Sequence, residues 1–355
     1  MTELWYTRCP VPTASSIAIA KGWLEDEFAA DGIRVASLLE SGKHAVRESH
    51  FDHGQPNSFR QGGNIPPIWA RSRGSDVRLI GLSQVEYFQG VLSMPDSGIV
   101  RPADLKGKRL ALPRRINDQI DFQRAGTLRG FIAALRDGGL TENDVEFVDL
   151  EIAEPYIVPE DDAHEGQLFG ARANRRFQTA DLVALIRGEV DAIFASGGRG
   201  VDFQALLGAN VVFDMGGHAD LSVRTNNIVP LALTVSGDLL DRRPDLVARY
   251  VATVLVGARW ARSHPSETRR LTALEAGVAE EWIELAHPGL HDALEPSLAP
   301  NLLEAIESQK TFLRERGFIH DDFDLDTWVA PGPLEEAHRL VEAGFGRGWS
   351  PGDEG

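Results

Sequence analysis

Apolar positions along the chain switch repeatedly between a short extended rhythm and a helical one. Glu3 to Thr7 reads as a strand. Thr13 to Ala29 reads as a helix that Thr13 can N-cap, with Ile17, Ala20, Leu24 and Phe28 on one face. Asp31-Gly32 turns the chain into a second strand, Ile33 to Leu39. After a polar loop, Val77 to Leu82 and Tyr87 to Leu92 have the pattern of short strands. A polar turn, Asp104 to Arg109, leads into the strand Leu110 to Leu112. A helix follows from about Gln119 to Arg136, ended by Gly138-Gly139, and then the strand Val145 to Leu150. Glu154 to Phe177 mixes charges, glycines and prolines and reads as a long loop, either a lid or partner surface or a mobile insertion. Thr179 to Gly188 is a helix, Val190 to Phe194 a strand, Val201 to Leu207 a helix and Val211 to Asp214 a strand. Gly216-Gly217 permits a sharp change of direction before a buried strand, Ile228 to Val235. From Asp238 onward the pattern is mostly helical, with Pro244 and Pro265 at helix starts and a frayed tail over 344–355.

This alternation predicts an α/β protein with mostly parallel, doubly wound sheets. With 355 residues the chain is too long for one ordinary core. The expected organisation is two lobes with the second inserted into the first: residues 1–97 and 216–355, and residues 98–215. Ligands in such sheets bind at the carboxyl ends of strands, against helix N-termini, which places a site in the cleft.

Composition narrows the partners. Hydrophobic residues make up 43% and charged residues 25%, ordinary globular values. The net charge of −17 repels phosphate backbones and anionic lipid, so neither nucleic acid nor a membrane is expected as a partner. The first residues lack the basic-then-apolar pattern of a secretory signal, and the longest apolar stretch, Ile228 to Val235, is too short to span a bilayer. A cytoplasmic, monomeric protein is expected. No HExxH pair, no GxGxxG after a strand, no Walker loop and no GxSxG elbow occurs. No metal or other cofactor is therefore implied. Gly197-Gly198-Arg199-Gly200 lacks the Lys-Ser/Thr of a phosphate loop and reads as a turn, at the cleft or on the surface.

Chemistry concentrates in the N-terminal third. Cys9, the single cysteine, can form no intramolecular disulfide. It stands in Cys9-Pro10-Val11-Pro12 between the first strand and a helix start, where a helix dipole would favour the thiolate and the prolines would fix the turn. His44, His50 and His53 follow within a polar stretch. Arg60 then precedes Gly62-Gly63, and Ile65-Pro66-Pro67 opens a helix. A guanidinium offers paired donors to an oxyanion, and glycines let backbone N–H groups approach it.

Taken in order, Cys9-Pro10-Val11-Pro12, His50-Phe51, Gln55-Pro56 and Arg60-Gln61-Gly62-Gly63-Asn64-Ile65-Pro66-Pro67 resemble the 2′-hydroxybiphenyl-2-sulfinate desulfinase family of bacterial dibenzothiophene desulfurisation. Two further segments, Asp104 to Ala111 and Leu185 to Ala192, resemble the second lobe of type II periplasmic-binding proteins for sulfonates, nitrate and thiamine precursors. The resemblance implies that fold and a cofactor-independent hydrolase that cleaves the carbon–sulfur bond of an organosulfur substrate, an aryl sulfinate, to release sulfite. It singles out Cys9, His50 and Arg60 as catalytic, with Gly62, Gly63, Phe51 and Arg60 binding the substrate. The ten-residue spacing from the His-Phe pair to Arg60 is what prefers His50 over its neighbours.

Two routes fit these residues. The Cys9 thiolate attacks the sulfinate sulfur with His50 as base, or the Cys9 thiol protonates the ring carbon and sulfur dioxide departs. Two stretches depart from the family. Arg114, Arg115, Asn117, Asp118, Gln119 and Asp121 replace a longer, aromatic segment, and Ala195 to Arg199 replaces an apolar one. Both suggest a smaller or more polar substrate than a biphenyl. Trp5, Tyr6, Phe51, Phe59 and Trp69 suit a planar group or the core equally well. The alternative is a non-catalytic binding protein for a sulfonate-type anion, which needs Arg60 but no thiol. A third reading, a pyrimidine-precursor synthase that consumes its own residues, lacks the expected His- and Cys-rich segment.

Overall fold

The computed structural model of the protein describes residues 3–7, 9–157, 179–346 and 348. Among them, ten strands form two five-stranded sheets. The first sheet has the order β2-β1-β3-β10-β4, built from Arg34–Ser37, Glu3–Thr7, Ser58–Gly62, Leu231–Ser236 and Val77–Ser83. The second has the order β7-β6-β8-β5-β9, built from Glu146–Ile152, Arg109–Arg115, Ala192–Ser196, Gln89–Ser93 and Asn210–Asp214. In the first sheet β10 runs antiparallel to both neighbours, and in the second β5 does so. The remaining pairs are parallel, as β1 is with β2 and β3 and β6 is with β7 and β8. This is a two-lobed α/β architecture of mixed, mostly parallel sheets with flanking helices. No helix among the described residues is long and apolar enough to cross a membrane.

The strand β10 shows why the first sheet holds together. All six of its residues are buried. Leu231, Leu233 and Val235 face the larger core, beneath the long helix Pro244–Ser263, while Ala232 faces a second core with Ile65, Leu79 and Trp328. A strand buried on both faces reads as a continuous apolar run, and this one does.

Two stretches differ from what the pattern predicts. The helix expected over Thr13–Ala29 is two helices, Ala14–Ala20 and Trp23–Ala29. Gly22 sits between them at φ 76°, a left-handed conformation that ends the first helix, and its N–H bonds the Ile19 carbonyl. The polar stretch before residue 65 holds a helix, His44–Asp52, and the strand β3. The loop expected over 154–177 lies, from residue 158 on, outside the described residues, as does most of the tail expected to fray.

Side-chain hydrogen bonds join the lobes. Asn226 donates to the Gly126 carbonyl at 3.0 Å. Arg129, on the helix Phe122–Asp137, donates to Gln309 and Ser308 on the helix Pro300–Glu315.

Candidate active site

The carboxyl ends of β1, β3 and β8 open onto one cavity of about 130 Å³ between the sheets. Cys9, His50, Phe51, Arg60 and Gly63 all line it. Of the residues singled out from sequence, Gly62 stands just behind the wall. His44 is elsewhere, paired with Glu48 at 3.2 Å.

Cys9 follows β1 and is 5% exposed, at the edge of the larger core. The Gly63 backbone N–H hydrogen-bonds its sulfur. A Cβ on Gly62 would lie 2.8 Å from the Cys9 Cβ and closer still to its sulfur, so this approach of β3 to the thiol requires glycine there. Burial raises the thiol's pKa, against a lowering by the Arg60 charge and the Gly63 N–H. The expected thiolate at a helix N-terminus is therefore corrected. The N–H groups that open the helix Ala14–Ala20 bond the Gln61 side chain and the Thr13 hydroxyl instead, and burial, with the Glu275 charge on its side, outweighs Arg60 and the Gly63 N–H.

His50 lies in the last turn of the helix His44–Asp52 and is 4% exposed. Its Nδ1 is 2.6 Å from the Thr7 hydroxyl at the end of β1. Tyr156 stacks on its ring with centroids 5.7 Å apart, and Phe51 meets it edge-on at 4.9 Å. Burial, then the charge of Arg60, hold its pKa well below the ordinary imidazole value, so the ring is neutral. The resting pair is thus a neutral thiol and a neutral imidazole.

Arg60, in the middle of β3, is 4% exposed. Its Nη1 donates to the Gly63 carbonyl at 2.6 Å, and its Nε has no acceptor among the described residues. No carboxylate among them pairs with it. A buried cation without a counter-ion is costly unless an anion completes it.

Gly63 is pinned by its surroundings. The next amide, Asn64 N–H, donates to the Asn227 carbonyl at 2.7 Å, and Ile65 N–H to Asn227 Oδ1 at 3.1 Å. This changes the expected anion site at the helix Ile65–Ser72. That helix begins where expected, but its first N–H is taken by Asn227 and Pro66 and Pro67 have none.

Of the candidate aromatic residues, Phe51 alone reaches the cavity wall. Phe59 stacks on Tyr250 in the core, with centroids 3.6 Å apart. Phe122, Tyr156 and Phe194 supply the other apolar faces. Arg115, Asp118 and Asp121, expected to face a substrate, point elsewhere: Arg115 pairs with Asp118, and Asp121 accepts from the N–H groups of Arg115 and Arg124. Ser196, Gly198 and Arg199 do line the cavity, at the start of the helix Gly197–Leu207 rather than in a turn. Tyr87, Gln123, Thr127, Asn226, Asn227 and His287 also line it. These were not singled out from sequence because they stand alone, in segments with no motif around them.

Comparison with known proteins shows what the chain is similar to. The chain is 28% identical over 349 residues to the 2′-hydroxybiphenyl-2-sulfinate desulfinase of Rhodococcus erythropolis, covering 92% of this chain and 91% of that one. The chain is thus similar to a sulfinate desulfinase along nearly its whole length. The crystal structure of the desulfurization enzyme DszB superposes with a TM-score of 0.77 at 28% identity, covering 96% of this chain and all of that one. A cysteine-to-serine mutant of DszB in complex with biphenyl-2-sulfinic acid superposes with a TM-score of 0.78 at 27% identity, covering 95% of this chain and 99% of that one. Residues 13–158 match the family described as NMT1/THI5 like. The periplasmic aliphatic sulphonate-binding protein SsuA of Escherichia coli shares the fold, with a TM-score of 0.65 at 16% identity over 93% of this chain and 91% of that one. The two-lobed architecture of this chain is thus that of type II periplasmic-binding proteins.

Proposed function

We propose that the protein is a desulfinase that cleaves the carbon–sulfur bond of an aryl sulfinate and releases sulfite without a cofactor. The observation that carries this reading is a thiol and a buried guanidinium, unpaired by any carboxylate among the described residues, lining one cavity, in a chain similar to a desulfinase along nearly its whole length. An anion binder needs the guanidinium but not the thiol.

In the reaction that fits this geometry, Arg60 holds the sulfinate oxygens through its guanidinium, whose Nε has no acceptor among the described residues. The apolar faces of Phe51, Phe122 and Tyr156 receive the ring. Bringing a second negative charge beside Cys9 raises its pKa further, which opposes a thiolate nucleophile. The thiol therefore acts as an acid. Cys9 protonates the ring carbon that bears sulfur, the carbon–sulfur bond breaks with its electrons returning to the ring, and sulfur dioxide leaves. Water converts sulfur dioxide to bisulfite and a proton, and that proton restores the thiol. The sum is sulfinate plus water giving arene plus bisulfite. His50, neutral and held by Thr7, orients the thiol and relays the returning proton.

The test is sulfite release by the purified protein from aryl sulfinates, beside Cys9→Ser. Release that depends on Cys9 supports the proposal. Tight binding by both proteins without release would make the chain a sulfinate- or sulfonate-binding protein.

A further inference from the structure

A second polar group faces the same cavity and takes no part in the chemistry above. His287 follows the helix Glu280–Ala286, is 3% exposed and lines the cavity wall. Its Nδ1 lies 3.0 Å from the Glu86 carbonyl. A carbonyl can only accept, so Nδ1 carries the proton and Nε2 carries the lone pair. Nε2 has no hydrogen-bond partner among the described residues. Burial holds the ring's pKa at about 4, so this tautomer persists at neutral pH.

The Tyr87 ring packs against His287 with centroids 4.9 Å apart, and its hydroxyl hydrogen-bonds the Ser196 side chain. Gly197, at φ 61°, gives that hydroxyl room: a Cβ there would lie 2.6 Å from the phenol oxygen. Arg199 bonds Asp202 through Nη1 at 2.8 Å, and its Nε has no acceptor among the described residues. Nε2 is not sealed in the core but faces the cavity, where it is placed to accept from a donor that a ligand brings.

We propose that His287 is a specificity-determining residue that accepts a hydrogen bond from a hydroxyl group on the substrate's carbon skeleton. This deepens the desulfinase reading and rests on it for the identity of the ligand. A neutral imidazole with a bare nitrogen repels a second carboxylate or sulfonate at that position and selects a neutral donor. A phenol is the donor that also fits the aromatic walls. A site that bonds a hydroxyl disfavours the analogue without it, because that hydrogen bond is then lost.

The experiment compares 2′-hydroxybiphenyl-2-sulfinate with biphenyl-2-sulfinate. Both are titrated calorimetrically into Cys9→Ser protein, which cannot turn over, and into the same protein carrying His287→Asn or His287→Gln. Sulfite release is measured with the matching Cys9 proteins. The asparagine amide can keep the Nδ1–H bond to Glu86 while withdrawing the acceptor. The glutamine oxygen can stand where Nε2 stood. With His287 present, the hydroxylated ligand should bind at least about tenfold more tightly. His287→Asn should abolish that ratio and leave the Kd of the unhydroxylated ligand within about threefold, and His287→Gln should restore part of the ratio. Equal affinity for the two ligands with His287 present, or equal weakening of both by His287→Asn, would overturn the inference. A binding preference that depends on His287 without sulfite release would support it while refuting the desulfinase reading.

Discussion

Adding one methyl group at Gly62 tests whether β3 positions the thiol. The new carbon would lie 2.8 Å from the Cys9 Cβ, where unstrained carbons sit about 3.5–4.0 Å apart. Its approach to the sulfur is tighter still. The two groups must separate by roughly 1 Å, and neither is free to yield. β3 is hydrogen-bonded between β1 and β10, and Cys9 is followed by Pro10 and Pro12. Overpacking of this kind costs about 1–3 kcal/mol of stability, which a domain of ordinary stability survives. The catalytic cost is larger, because a displacement of about 1 Å lowers rates roughly a hundredfold. Gly62→Ala should therefore fold, melt a few degrees early and release sulfite at least about a hundredfold more slowly. Circular dichroism and a sulfite assay on the same preparation separate the two effects. Activity within about threefold of wild type would refute the reasoning, since the thiol would then not depend on the place β3 gives it.

Other outcomes follow from the same geometry. Arg60→Met removes the sulfinate's counter-charge and a buried cation together. kcat/KM should fall by roughly 10²–10³-fold, from a loss of about 3–4 kcal/mol, while the melting temperature stays level or rises; a large loss of stability would mean that Arg60 has a partner that the cavity does not explain. Thr7→Val keeps the branched shape but removes the hydroxyl at His50 Nδ1, and should lower kcat about tenfold with little change in KM. Because the Cys9 pKa is raised above the ordinary thiol value and that of His50 is held well below the imidazole one, kcat/KM should stay flat from about pH 6.5 to pH 9. A tenfold rise per pH unit over that range would instead point to a thiolate nucleophile. His287 is neutral when folded and charges at higher pH when unfolded, so the unfolded chain binds more protons below about pH 6.5. Its contribution to stability is present above that value and lost as pH falls towards about 4, on the order of 3 kcal/mol in all. Denaturant unfolding at pH 7.5 and pH 4.5 checks the sign.

The strand–helix alternation made the α/β architecture legible, because continuous apolar runs such as Leu231–Val235 have few other uses. β3 escaped notice for the opposite reason. Ser58-Phe59-Arg60-Gln61-Gly62 is mostly polar, yet every residue is buried, since its polar groups are spent on the site and on Gln61's bonds to Ser15. Function and local pattern conflict there, as expected where a strand carries chemistry. Cys9, His50, Phe51, Arg60 and Gly63 were readable because they form a motif in one third of the chain. The charge state of the thiol was not, because it depends on burial by distant elements rather than on the adjacent helix. His287 and Tyr87 stand 200 residues apart in sequence and meet only through the fold.

Sulfite release from an aryl sulfinate, with purified protein free of added metals and nucleotides and beside Cys9→Ser, tests the central claim most directly. The account predicts stoichiometric sulfite and arene from the wild type and none from Cys9→Ser, with both proteins binding the sulfinate. Equal rates from the two proteins, or sulfinate binding without any release, would contradict it.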